Sequence, residues 1–252
     1  MTKIDDFFSL TNTVRNLTAI DKAQTANYLE PIKAFAASTY KSIYVIDYET
    51  KGFEYVSDNP LFLCGHTAEE VKEMGYEFYL KYVPKKDLDL LLRINTIGFD
   101  FYEKMPLEER KGATIAYDFH LKNQEGKTIL INQKLTPLFL TEEGKLWKAI
   151  CFVSLSTEQD SGNITVYSKN DGSILKYNLK RNFWESTEKI KLAKREKEII
   201  ELSTRGFTIN EIAETIFISP DTVKFHRRKL FEKLDVSTIS EAIAYVTNNK
   251  LL

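Results

Sequence analysis

Residues Thr208–Leu234 read TINEIAETIFISPDTVKFHRRKLFEKL, and this stretch decides the fold of the C-terminal part of the chain. Thr208 followed three residues later by Glu211 is a capping box, so a helix starts there. Ile212, Ala213 and Ile216 give it one apolar side, and the small Ala213 suits a close helix crossing. After the turn at Phe217-Ile218 comes a second start. Ser219 is the N-cap, Pro220 fits the first helical position and Asp221 complements the helix dipole. Val223, His226, Leu230 and Leu234 are spaced three, four and four apart, so they share an inner face. Lys224, Phe225 and Arg228 fall on the outer face, with Arg227 flanking them.

Two short helices, a tight turn and a basic outward helix face make a helix-turn-helix, whose second helix fits the major groove of DNA. Lys224 and Arg228, four apart, reach base edges together, Arg favouring the O6/N7 acceptors of guanine, and Phe225 suits a thymine methyl. Thr208, Asn210, Thr222 and Arg227 lie where phosphate contacts fix the register. His226, on the inner face, reads as structural.

The segment resembles the LuxR-type (GerE-type) DNA-binding domain. The residues that carry the resemblance are 192–196 (LAKRE), 206–213 (GFTINEIA), 218–226 (ISPDTVKFH), Lys233-Leu234 and Glu241-Ala242. It spans about residues 190–252 and implies four helices, the third in the major groove. It also implies dimerisation through the fourth, here Thr238 to Asn248, with Ile239, Ile243 and Val246 as one candidate face that would serve equally as core. Ala193 departs from the family, which usually has Thr or Ser there, and removes a cap worth about 1 kcal/mol. Region 4 of sigma factors shares the local pattern, but such a protein also needs an upstream helical core-binding region, and the β-rich middle of this chain does not supply one.

Charge supports the same division of labour. The 252 residues carry 35 Lys/Arg and 36 Asp/Glu, yet residues 190–252 hold eleven basic and nine acidic side chains, a net of +2. Within them 224–229 (KFHRRK) is the densest basic run, and local density matters more to a polyanion than net charge. Cys64 and Cys151 match no metal spacing and are too few for a disulfide scaffold, so they read as buried thiols in a reducing cytosol. The polar N-terminus lacks the apolar core of a signal peptide, and the longest apolar run, Leu146–Leu155, is too short to span a bilayer. A cytoplasmic protein is expected.

Upstream, residues 1–40 read as helical, with an imperfect stripe of Ile4, Phe7, Phe8, Val14, Leu17 and Ile20, and with Pro31 opening a second short helix. Residues 42–47 and 53–57 are strands rich in β-branched and aromatic side chains. Thr67 and Glu70 cap a helix to Met74, and a further helix covers 86–101. Residues 115–121 alternate, residues 123–126 turn with Gly126, and 129–135 return. A second turn at 141–144 leads to the strand 146–155, which is apolar on both faces and therefore central. Residues 164–168 and 174–177 form one more hairpin around 170–172, followed by a charged linker over 180–190.

Two strands, short helices and three strands is the order of a PAS domain. Residues 44–47 (YVID), 55–57 (YVS), 63–70 (LCGHTAEE), 83–87 (VPKKD) and the hairpin from Tyr117 to Leu135 resemble that family over 41–156. The resemblance implies a half-open antiparallel sheet with a pocket under helices, often dimerising through a flanking N-terminal helix. A phosphoacceptor receiver domain is not matched, since Asp5-Asp6 follow no strand, and an acyl-homoserine-lactone-binding pattern is absent. Cys64 does not sit in the Asn-Cys-Arg motif of light-sensing flavin domains. His66 and His120 read as ordinary loop histidines rather than haem ligands, and Cys64 with His66 lacks an orienting third group. The aromatics, 13 Tyr and 16 Phe, fill a core or line a pocket.

The expected fold is thus α+β: a PAS-like antiparallel sheet with helices, then a small all-α helix-turn-helix domain. The expected divisions are a helical segment 1–40, a sensor domain 41–156, a hairpin and linker 157–189 and a DNA-binding domain 190–252. The expected function is a dimeric, sequence-specific transcriptional regulator of double-stranded DNA, tuned by a ligand or partner of the sensor. No catalytic constellation, metal or cofactor is expected. The further partners admitted are a small molecule in the PAS-like pocket and RNA polymerase, and no membrane. The alternative is a protein-interaction scaffold in which the PAS-like domain only dimerises.

Overall fold

The computed structural model describes residues 2–25, 27–168, 174–187, 190–249 and 251–252. The chain divides into two units, Met1–Thr187 and Glu188–Leu252.

The first unit opens with a 3-10 turn at Ile4–Phe7 and two short helices, α1 (Ala19–Ala23) and α2 (Leu29–Ala37). Strands β1 (Ser42–Asp47) and β2 (Gly52–Val56) follow. Four helices come next: α3 (Ala68–Met74), α4 (Glu77–Tyr82), α5 (Lys85–Lys104) and α6 (Leu107–Arg110). Then come β3 (Ala113–Lys122), β4 (Thr128–Leu140), β5 (Leu146–Leu155), β6 (Gly162–Ser168), β7 (Ile174–Asn178) and β8 (Phe183–Thr187). All eight strands join one antiparallel sheet in the order β2-β1-β5-β4-β3-β6-β7-β8. Through β5 this is the strand–helix–strand order and antiparallel sheet that the PAS resemblance implies. The last three strands extend it beyond β3.

The local chemistry behind these elements is as read from the sequence. Thr67 Oγ1 accepts from the Glu70 N–H at 3.2 Å, and Glu70 Oε2 accepts from the Thr67 N–H at 2.8 Å, closing the box that starts α3. Gly126 turns β3 into β4 with φ of 81°. Gly144 has φ of 76°, and a Cβ there would come within 2.2 Å of Leu107 Cδ2, so both backbone and packing demand glycine. β5 lies between β1 and β4. Its Cys151 and Val153 belong to the main core, while Ile150 and Phe152 pack with Ala36 and Phe35 of α2 on the other face. Coverage on both faces is why this strand is apolar throughout.

The structure corrects three expectations. Residues 1–40 are not mainly helical: Phe7 and Val14 are buried singly in the main core, and Asn12 exchanges hydrogen bonds with the backbone of Leu146. The segment forms an arm that gains its order from tertiary contacts rather than from a helical stripe. The second short helix is present as α2, but it starts two residues before Pro31, which sits in its first turn. The expected linker 180–190 contains strand β8, because Trp184 packs on Tyr177 and on Phe101 of α5, with centroids 5.0 and 4.7 Å away. Arg93 of α5 holds the same hairpin through the Leu179 carbonyl at 2.5 Å and the Asn182 side chain. Helices α4 and α6 were not foreseen. The turn 170–172 lies outside the described residues, although its flanks pair as Tyr167 with Ile174.

The second unit is four helices, α7 (Lys194–Thr204), α8 (Ile209–Thr215), α9 (Pro220–Leu234) and α10 (Ile239–Asn248). Ile199, Leu202, Ile212, Ala213 and Val223 seal α8 against α7 and α9. Leu192, Ile200, Leu230, Leu234, Ala242 and Val246 form a second cluster that joins α10 to α7 and α9. Among the described residues no helix is long and apolar enough to cross a membrane.

Candidate nucleic-acid interface

The start of α9 is built by three adjacent side chains. Ser219 Oγ accepts from the Thr222 N–H at 3.1 Å, Pro220 needs no donor in the first turn, and the Thr222 hydroxyl is 2.8 Å from Ser219 Oγ. α8 starts on a reciprocal pair: the Thr208 N–H and hydroxyl both donate to Glu211 Oε2 at 2.7 Å. Those bonds hold the Glu211 carboxyl below its ordinary range. Thr208 and Thr222, expected at phosphates, therefore have hydroxyls already engaged in capping. Asn210 is exposed beside Thr208.

The exposed side of α9 carries the residues expected to read bases. The Lys224 side chain is 61% exposed and pairs with Asp221 at 3.0 Å. Phe225 is 42% exposed. Lys229 Nζ lies 4.6 Å and the Arg228 guanidinium carbon 5.8 Å from its ring centroid, so one exposed ring organises two cations. Arg227 turns the other way, over Phe231 at 5.6 Å. Val223, Leu230 and Leu234 are buried as their spacing requires, whereas His226 is only half-buried, against the ring of Phe225. Phe217 is 92% exposed and adopts φ of 55°, in the left-handed region.

The expected dimer face needs correction. Val246 is fully buried within its own unit, and Ile239 and Ile243 pack against the same cluster. Val246 therefore serves as core, the other role its spacing allowed, and is not available to a second chain, whereas Ile239 and Ile243 are only partly buried.

In the first unit, the space between the sheet and α4–α5 holds two adjoining cavities. The inner one, about 20 Å³, is lined by Phe7, Tyr79, Gln133 and their neighbours. The outer one, about 60 Å³ and open at its mouth, runs between α5 and strands β3, β4 and β6. Tyr48, Asn95, Tyr117 and Leu135 line both. The three histidine and cysteine positions considered earlier lie elsewhere. Burial pushes the Cys64 thiol up to about 12, and His66 contacts Tyr82, Gln124 and Glu70. His120 Nδ1 is 2.7 Å from Asp87 Oδ2.

Comparison with known proteins bears on the second unit most directly. Residues 191–246 match the family described as bacterial regulatory proteins, luxR family. They form a LuxR-type helix-turn-helix domain. A probable csgAB operon transcriptional regulatory protein of Salmonella typhimurium is 32% identical over 139 residues, which is 51% of this chain and 63% of that protein. The CsgBAC operon transcriptional regulatory protein of Escherichia coli is 41% identical over 66 residues, 26% of this chain and 31% of its own length. The match to this chain thus spans less than two thirds of these curated relatives. Among solved structures, a Vibrio cholerae VqmA–ligand–DNA complex aligns over 90% of both chains at 17% identity and a TM-score of 0.36. A PAS domain from Colwellia psychrerythraea aligns over 53% of this chain and 100% of its own, at 13% identity and a TM-score of 0.39.

Proposed function

We propose, taking the luxR-family domain at residues 191–246 as the premise, that this protein is a sequence-specific transcriptional regulator that binds double-stranded DNA through α9. The observation that carries the reading is the outward face of α9. There Lys224, Phe225 and Arg228 are exposed on a helix whose opposite face is locked into the domain by Val223, Leu230 and Leu234. A helix fixed from behind and basic in front presents its side chains to base edges without first having to order itself.

In this reading Lys224 and Arg228 hydrogen-bond base edges and Phe225 packs on a thymine methyl. Arg227, Asn210 and the amide groups at the capped starts of α8 and α9 meet phosphates, with Thr208 and Thr222 shaping those starts. The protein acts as a homodimer on two half-sites about one helical turn apart, through surfaces other than Val246. The PAS-like unit tunes DNA binding by holding a small molecule. RNA polymerase is the further partner of a regulator of this kind. The protein works in the cytoplasm and catalyses no reaction.

Selection of random duplex DNA by the full-length protein, with Arg228→Ala alongside, tests the reading. A pseudo-palindromic sequence that loses information at one position per half-site in the variant supports it. Equal retention of unrelated sequences, or an identical motif from the variant, would defeat it.

A further inference from the structure

Tyr117, which lines both cavities, ends a chain of buried polar groups. The Tyr44 hydroxyl donates to Gln133 Oε1 at 2.7 Å, so the hydroxyl of Tyr79, 2.5 Å away, is the donor to Tyr44. Gln133 Nε2 donates in turn to the Tyr117 hydroxyl at 2.6 Å. Tyr117 is therefore the last acceptor in the chain, and its own proton meets no acceptor among the described residues. Tyr44, Tyr79 and Gln133 are all buried, and Tyr117 is 5% exposed, so an unmade bond here is costly. Desolvation raises the Tyr117 hydroxyl well above its ordinary range, which keeps that proton in place as a donor.

Charge is excluded from the same space. Neither cavity has an Asp, Glu, Lys, Arg or His among its described lining residues. Arg110 lies over the ring of the lining residue Tyr102 and directs its donors to the carbonyls of Met105, Gly144 and Glu103. A carboxylate or an ammonium entering this space would lose its hydration with nothing to replace it. The outer cavity, walled by Phe101, Met105, Ala113, Ile115, Pro137 and Val166, is apolar. Val166 belongs to β6, one of the strands added beyond β3, so this compartment depends on the extension of the sheet.

We infer that the two cavities together bind an uncharged small molecule with a hydrogen-bond-accepting head, a carbonyl or equivalent, seated on the Tyr117 hydroxyl, and an apolar body lying between α5 and β6. The inference deepens the sensing part of the proposed function and rests on it. The head completes the Tyr79–Tyr44–Gln133–Tyr117 chain, and the body takes the place of water against an apolar wall.

Titration calorimetry on the full-length protein tests this with three seven-carbon probes: 2-heptanone, n-heptane and heptanoate at pH 7.5. The ketone is expected to bind saturably and the anion not to bind. Tyr117→Phe is expected to weaken the ketone about tenfold, the size of one buried hydrogen bond, while leaving heptane unchanged. Heptane thereby reports that the variant's cavity is intact. Ala113→Phe, which fills the outer compartment, is expected to abolish binding of both. Heptanoate binding as tightly as the ketone, an unchanged ketone affinity in Tyr117→Phe, or no binding of the ketone at all would overturn the assignment. DNA affinity measured with and without saturating ketone separates the two readings. Ligand binding with no change in DNA affinity would defeat sensing and leave the ligand class standing.

Discussion

Lys233 Nζ lies 2.6 Å from Glu196 Oε2, tying the end of α9 to the first turn of α7. The Glu196 side chain is 6% exposed, and the same carboxylate accepts the Ala193 N–H at 2.7 Å. One buried acid therefore caps one helix and anchors another. Lys233→Met removes the charge partner and leaves the carboxylate buried, and it is expected to cost about 3 kcal/mol, read as a lowered denaturant midpoint of the C-terminal transition. Charge reversal of the half-buried Glu198, which pairs with the more exposed Arg195, is expected to cost under about 1 kcal/mol. Equal losses from the two would contradict the anchoring role of the Glu196 pair.

Ala193 supplies half of a cap. The Glu196 carboxylate satisfies its N–H, but among the described residues no side chain accepts from the third residue of α7. Ala193→Ser is expected to stabilise the domain by about 1 kcal/mol. A melting temperature unchanged within error would show that solvent already serves that amide equally well.

Phe217 holds a left-handed backbone with its ring almost wholly in water. Phe217→Gly removes a conformational penalty of about 1–2 kcal/mol without loss of packing, so stability is expected to rise by about 1 kcal/mol once the greater freedom of glycine in the unfolded chain is subtracted. Specific DNA affinity is expected to stay constant. A loss of affinity instead would place the ring at the DNA.

Lys224 is paired with Asp221 at 3.0 Å in the free protein. Asp221→Asn releases the lysine and removes a negative charge from the face proposed to meet DNA. DNA affinity is expected to rise a few-fold at low salt, with the gain shrinking as ionic strength increases. Lys224→Ala is expected to lose about 1–3 kcal/mol at one base position; a uniform loss over all sequences would reassign it to phosphate.

The acid sensitivity of the domain has a definite sign. Glu211 and Glu241 are both held below the ordinary carboxyl range, Glu211 chiefly by the Thr208 N–H and Glu241 chiefly by the Ser237 N–H. A folded carboxyl that binds protons less readily than the unfolded one adds stability above the unfolded value, about 4.3 for Glu. That stability is lost as pH falls through the folded value. Melting of the C-terminal unit is expected to fall below about pH 4, and Glu211→Gln is expected to flatten part of the slope. An unaltered slope in the variant would remove Glu211 from the account.

The second unit was legible in the sequence because each of its signals is local. Thr208 and Glu211, or Ser219 and Pro220, act within one turn, and Val223, Leu230 and Leu234 declare a helical period. The strands from Ser42 to Leu155 were legible for the same reason. What escaped depends on distant partners. Phe183–Thr187 looked like a charged linker because nothing nearby announces that Trp184 meets Phe101, far back in the chain. The arm around Phe7 reads as helical because its apolar residues are as dense as a stripe, yet they are fixed by distant partners such as Tyr48, Tyr76 and Tyr79. Val246 shared one helix face with Ile239 and Ile243, and spacing alone does not say whether such a face meets its own domain or a second chain. The polar chain ending at Tyr117 links four residues separated by up to 89 positions, which no local pattern discloses.

The arm that begins the chain is a working wall. Phe7 lines the inner cavity, stacked on Tyr79 at 5.6 Å, and Asn95 holds its carbonyl at 3.0 Å. Farther along, Asn12 fastens the arm to Leu146 by two bonds. Trimming residues 2–17, which contain none of the strands, would remove Phe7 from the cavity wall together with the Asn12 bonds to β5. If the cavities hold the proposed ligand, a shortened protein, or one whose leading residues are displaced by a fused tag, would bind it with altered affinity although α8 and α9 were untouched.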